Sequence, residues 1–284
     1  MKNIQYFCAT FQNMKSRVLL ILGISVLITS CGQWEKILKS TDYELKKTKV
    51  KEYFDEGQYA RAQQLLAQVL PRYRATESAE ELSWMNAQSY FGMRDYLMAG
   101  SEFRNFGELY PYGKHAEEAN FMAAMCDYYQ SARAELDQES TRNAIEGFTL
   151  FMSRFPTSQR VEEAKNHVKE LREKLVEKSY LSAKLYYGMK QYKAAVVALT
   201  NSLKEFPETG YREEMMFLKL NSLFLYAENS IPAKQAERFQ ATLDDYYSFM
   251  EEFPKSNFSK EVGRIYQTTA RILKIDIDNK KANN

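Results

Sequence analysis

The residue types that carry most protein chemistry are scarce in this 284-residue sequence, and those present are spaced for helices rather than for an active site. There are two histidines, His115 and His167. His115 with Glu118, and His167 with Glu163 and Glu170, stand three or four residues apart, a spacing that puts side chains on one helical face and within reach of a common cation. Histidines beside carboxylates on a polar face usually form solvated ion pairs, and no Cys/His cluster accompanies these two, so neither a metal nor any other cofactor is expected. Paired carboxylates are abundant: Glu80-Glu81, Glu117-Glu118, Glu162-Glu163, Glu213-Glu214 and Glu251-Glu252. They are dispersed over many segments with no apolar pocket to raise a pKa, which points to solvated helix faces and away from general acid–base work. Glycine-rich phosphate loops are absent, and Asp276 and Asp278 lie in a polar tail without the rest of a calcium loop. No catalytic residue is assigned and no enzyme is expected.

Cysteine supplies the one strong chemical signal. Val18 to Ile28 is an apolar run preceded by Lys15 and Arg17, too short for a membrane span, which needs about 20 residues, and suited to the core of a secretory signal. It ends Leu27-Ile28-Thr29-Ser30-Cys31, which looks like a bacterial lipobox: an aliphatic residue three before the cysteine, a small one just before it, and a thiol that receives diacylglycerol. The alternative is an ordinary signal peptide with a chance cysteine. Met14 reads as a more natural start than Met1. Cleavage before Cys31 takes away Lys2, Lys15 and Arg17 and no acidic residue, so the mature chain is near neutral and gives no electrostatic case for nucleic acid. Cys8 is lost and Cys31 acylated, leaving Cys126 alone in the apolar stretch Phe121 to Cys126, where a buried small hydrophobe is expected rather than a nucleophile.

The elements that would carry these residues are helices. With 11 Gly, 6 Pro, 20 Tyr and 17 Phe, the composition favours long helices with aromatic packing over turn-rich β structure. One template recurs five times: an anchor, a small residue three later, a large apolar four after that, another position three on, and Pro five further. The copies are Tyr59, Ala62, Leu66, Val69, Arg74; Tyr96, Ala99, Phe103, Phe106, Pro111; Thr141, Ala144, Phe148, Phe151, Pro156; Tyr192, Ala195, Leu199, Ser202, Pro207; and Phe239, Thr242, Tyr246, Phe249, Pro254. Steps of three and four lie on one helical face. The proline stops the helix, and an aromatic precedes that last position every time.

Each copy has a second helical pattern upstream, such as Ala87 to Phe91 before Tyr96 and Ala183 to Tyr187 before Tyr192, so each unit is a helix pair. The pattern resembles the tetratricopeptide repeat over roughly residues 49 to 275. The fold class expected is all-α, a superhelix of about five tetratricopeptide-like helix pairs with a concave inner face. Anchor intervals of 37, 45, 51 and 47 residues, read from the copies above, exceed the ~34 of that repeat. The excess is expected in lengthened helices and in loops such as Gln130 to Ser140 and Glu228 to Lys234. The divisions expected are a signal peptide at 1–30, a lipidated linker at 31–48, the repeat domain at 49–275 and a polar tail at 276–284.

The wording of the repeats narrows the resemblance. Glu56 to Ala62 followed by Arg72-Tyr73, then Arg154 to Gln159, Leu171 to Lys178 running into Tyr186-Tyr187 and Ala194 to Val197, and Leu203 to Thr209 resemble, in order, the repeats of the BamD (YfiO) family of outer-membrane lipoproteins of the β-barrel assembly machinery. Arg74 departs from the family's Arg-Tyr-Pro. The resemblance implies a non-enzymatic scaffold anchored in the outer membrane at its periplasmic face, binding the periplasmic domains of a BamA-like barrel subunit, with unfolded outer-membrane proteins as substrates. Gly32 after the lipid cysteine, in place of aspartate, agrees with outer-membrane sorting. By the same resemblance Lys204, just before the Glu205-Phe206-Pro207 step, is a partner-binding candidate; its alternative role is to favour a helix end as a cation. Two other classes stay open: another envelope tetratricopeptide adaptor, and a SusD-like glycan-binding lipoprotein, against which stand the shorter chain and the presence of only two tryptophans, Trp34 and Trp84.

Overall fold

The computed structural model describes residues 33–74 and 76–275, and among them every regular element is helical. In chain order these are α1 (33–39), α2 (Tyr43–Asp55), α3 (Tyr59–Tyr73), α4 (Ala79–Gly92), α5 (Tyr96–Leu109), α6 (Ala116–Gln130), α7 (Glu139–Arg154), α8 (Val161–Gly188), α9 (Tyr192–Glu205), α10 (Arg212–Glu228), α11 (Pro232–Glu252) and α12 (Ser259–Ile272). The five template copies fall on α3, α5, α7, α9 and α11, as the periodicity predicts. The stretch expected as linker, 31–48, is instead helical over 33–39 and again from Tyr43. The expected signal peptide, Cys31 and the whole of the expected tail lie outside the described residues.

The close-approach positions are where the spacing puts them: Ala62, Ala99, Ala144, Ala195 and Thr242 are each 0% exposed. A side chain no larger than Thr at that point lets the two helices of a pair approach, and the large residue one turn on fills the space beside it. The chain forms two compact units, residues up to Tyr129 and residues from Gln130. In the first, one cluster gathers Val50, Leu65, Leu66, Val69, Leu82 and Met85, and another Ala87, Phe103, Phe106, Ala119 and Cys126. In the second, Tyr180, Ala183, Leu199 and Met215 form one cluster, and Leu220, Phe224, Phe239, Phe249 and Ile265 another.

The punctuation between helices repeats as closely as the helices. Tyr110, Phe155, Phe206 and Phe253, each just before its proline, end their helices with φ of −125, −125, −126 and −125° and ψ of 59, 61, 69 and 66°. The following proline ring disfavours the α region at the residue before it, so the turn is set locally. The copy with Arg74 in place of proline behaves differently: Tyr73 stays helical and Arg74 keeps φ −49°, ψ −32°. Helices α2, α4, α8 and α12 are instead followed by a left-handed residue, Gly57 (φ 72°), Arg94 (61°), Lys190 (59°) or Lys274 (55°). In each, the amide of the next residue returns to the carbonyl five back, for example Asp95 N–H to Tyr90 O at 3.0 Å, closing the last turn of the preceding helix. Aligned on those residues, α12 presents exposed Gln267 and Arg271 where α4 presents Ala87 and Phe91 to α5.

The long intervals have two sources. Residues 131–138 form the expected loop before α7, whereas Glu228 to Lys234 is mostly helix, because α11 starts at Pro232 and leaves three residues after α10. The longest interval, Thr141 to Tyr192, owes its surplus to α8, which has 28 residues against 13 for α2.

Candidate functional site

Lengthening α8 separates what packs on it. Phe148 of α7 stacks on His167 in its first half (ring centroids 5.2 Å apart), while Ala195 and Leu199 of α9 meet Tyr180 and Ala183 in its second half. The turns in between bury Leu171 and leave Arg172, Glu173 and Glu177 exposed. The loop 131–138 is tied to them: Lys174 donates to Ser131 Oγ at 2.7 Å and Lys178 to Glu135 O at 2.7 Å. Gln138, 2% exposed, holds the loop in shape by donating to Arg133 O (2.8 Å) and Leu136 O (3.1 Å) while accepting from Thr141 Oγ1 (2.7 Å).

The result is a groove of ≈ 1600 Å³ between α7, the middle of α8 and the α9–α10 connection. Its apolar lining includes Ile145, Met152, Val168, Leu175 and Phe206, and both charge signs line it, with Lys169 and Arg172 against Glu205 and Glu208. Small-molecule pockets span about 300–1,000 Å³; this one is larger, and its alternating charge suits a polypeptide segment. Lys204 lies beside its lip. It is exposed in the last turn of α9, next to the groove residues Glu205, Phe206 and Pro207, and forms no ion pair or hydrogen bond with another described residue. That placement agrees with both of its expected roles, contact and helix-end cation.

The remaining candidates are structural. His115 lies flat on Trp84, centroids 4.4 Å apart and planes 6° apart, with Glu118 3.9 Å from its Nδ1. The same arrangement recurs with other rings at Tyr180–Tyr211 (4.5 Å, 12°) and Phe217–Phe258 (4.2 Å, 4°). His115 thus occupies a packing position that tyrosine and phenylalanine fill elsewhere, and His167 pairs a stack on Phe148 with Glu163 3.9 Å from its Nε2, so the expected carboxylate partner of each histidine is joined by a ring stack. No metal-binding group of three or more such residues occurs among the described residues. Cys126 is 0% exposed, and burial pushes its thiol up to about 12, out of nucleophilic range at neutral pH.

Sequence reasoning missed what the glutamate pairs do. Glu80 accepts the Lys114 amide at 2.9 Å. Glu213 accepts Ser256 Oγ at 2.6 Å and the Asn257 amide at 3.2 Å. Both are the first glutamate of a pair, six residues after Arg74 and Pro207 respectively, and both latch the turn that follows the next template helix. The signal was the fixed offset from the end of the template. The second glutamates form ion pairs, Glu81 with Lys51 and Glu214 with Lys184, and Glu214 also accepts a hydrogen bond from the Tyr180 hydroxyl. The Tyr180 hydroxyl hydrogen bond, aided by Lys184, holds the Glu214 carboxyl below its usual range. Glu252 is likewise held down by the Arg212 guanidinium, which donates Nη2–H to it at 2.9 Å and Nη1–H to Pro207 O at 3.0 Å.

The model of the YfiO family, described as outer membrane lipoprotein, matches residues 42–223. The outer membrane protein assembly factor BamD of Haemophilus influenzae (strain ATCC 51907 / DSM 11121 / KW20 / Rd) is 21% identical over 214 residues, covering 72% of this chain and 82% of that protein. Among solved structures, the TPR2AB-domain:pHSP90-complex of yeast Sti1 aligns with 80% of this chain and 98% of its own at 13% identity, with a TM-score of 0.35. No helix among the described residues is long and apolar enough to cross a membrane.

Proposed function

The chain belongs to the YfiO family of outer membrane lipoproteins, and from that premise we propose that it is a non-enzymatic scaffold of outer-membrane protein assembly. In this reading Cys31 carries the lipid, the folded chain faces the periplasm, and the groove lip at Lys204 engages the periplasmic domains of a BamA-like barrel subunit whose substrates are unfolded outer-membrane proteins. The family match over residues 42–223 carries the reading. The relative named as an assembly factor, which aligns with most of this chain, supports it.

Capture of the barrel subunit tests the contact. Lys offers a point charge without the bidentate fork of Arg, so an ion pair at this position depends on charge more than on shape. Lys204→Glu is expected to weaken capture of the purified periplasmic domains and leave the melting temperature almost unchanged, with partial rescue by an acidic-to-basic change in the partner. Unaltered binding at low and moderate salt would remove Lys204 from the interface. Co-purification in mild detergent tests the wider reading: recovery of a division complex or a transporter in place of a barrel protein would identify a different envelope adaptor.

A further inference from the structure

Chain length and packing meet at the amino-terminal end of the first unit. Only Gly32 and Gln33 separate Cys31 from Trp34, so even a fully extended chain keeps their Cα atoms within about 11 Å of each other. Trp34 is fixed to the fold. Its ring stands edge-on to Tyr53 with centroids 5.6 Å apart, and the Arg61 guanidinium lies 5.6 Å from both rings. Ile37 and Leu38 pack against the cluster containing Val50 and Leu65. Lys46 of α2, only 3% exposed, donates to Leu38 O at 3.1 Å and to the Gln68 side chain of α3. A buried ammonium is costly unless its donors are used, and here they tie the end of α1 to the first helix pair. Glu35, Lys36 and Lys39 occupy the outer side of α1, all exposed.

We propose that α1 is the seat of the first helix pair on a bilayer surface: the headgroup layer into which the Cys31 acyl chains insert meets α1 directly and holds that pair at a fixed attitude. The proposal rests on lipidation of Cys31. The occupant is a lipid surface because the chain between anchor and fold is too short to reach past one. The exposed side of α1 is charged, so the helix lies on the headgroups and does not enter the acyl region.

The test uses the full lipidated protein in liposomes containing a headgroup-nitroxide lipid, with a fluorophore on Lys36→Cys; the buried Cys126 stays unlabelled. Strong quenching is expected, falling several-fold when a Gly-Ser spacer of about twelve residues, roughly 40 Å of contour, is inserted between Gly32 and Gln33. In a second protein labelled at Lys51→Cys of α2, Trp34→Ala is expected to reduce quenching likewise, because freeing α1 turns it into a tether. The mass of the amino-terminal peptide separates the two failures. Acylated protein whose quenching is unchanged by the spacer and by Trp34→Ala overturns this proposal alone; an amino-terminal peptide without lipid overturns the anchor as well.

Discussion

Glu213 makes one side chain do the work of a turn: a single oxygen accepts a hydroxyl and an amide from the segment that starts α12. Hydrogen bonds to a charged acceptor contribute about 1.5–3 kcal/mol each when buried; partial exposure to water lowers that here. Glu213→Ala is therefore expected to lower stability by about 1–2 kcal/mol in urea unfolding. Glu251→Ala, at an exposed position of the same doublet pattern, should stay within about 0.5 kcal/mol of wild type. Equal effects would deny the latch its role. Glu252 adds a pH signature. Its folded-state pKa lies below the unfolded value of about 4.5 because Arg212 donates to it, so its contribution is fully present above that value and is lost as pH falls through the depressed one. The gap in urea midpoint between wild type and Glu252→Gln should accordingly be open at neutral pH and close on acidification. Asp245 acts oppositely: burial raises its carboxyl despite the Lys219 ammonium, so its contribution falls as pH rises through the raised value.

At the scale of elements, Ala195 and Ala99 carry the repeat geometry. Each is fully buried at the point where two helices approach. Leu at either position should overpack the pair and cost about 1–3 kcal/mol, read as a lower melting temperature, and melting at the wild-type temperature would mean the neighbouring helix gives way. These positions were legible in the sequence because a small residue at constant spacing from an aromatic has one reading on a helix. The pre-proline caps were equally legible; where Arg74 stands in place of proline, the helix runs one residue further, through Tyr73. The groove was not. It arises because α7 and α9 occupy different halves of α8, which no local pattern records, since the surplus turns of α8 are as helical in composition as the rest. Nor does a count of charges distinguish the glutamate that latches a turn from its solvated neighbour, as Glu213 and Glu251 illustrate. The wording of the repeats singled out Lys204 as a candidate without indicating the groove next to it in sequence.

For the whole molecule, charge decides what the anchor must do. Removing the expected signal takes three of the 39 basic residues and none of the 37 acidic ones, leaving the mature chain one charge on the acidic side of neutral. Six lysines do follow the expected anchor between Lys36 and Lys51, but Lys46 is buried and Lys39, Lys47, Lys49 and Lys51 are paired with glutamates, which offsets most of the attraction of about 1 kcal/mol per basic residue that an anionic surface would offer. No described helix is long and apolar enough to cross a membrane. Attachment should then rest on the acyl chains, at about 0.8 kcal/mol per buried CH₂. Loss of the thiol at position 31 leaves nothing of comparable strength. Cys31→Ser is expected to release the protein from washed outer membranes, in cells lacking the proposed barrel partner, to the same extent at low and high salt. Salt-sensitive release would point to an electrostatic contribution that the net charge does not predict, and quantitative retention at all salt concentrations would show that Cys31 is not the anchor.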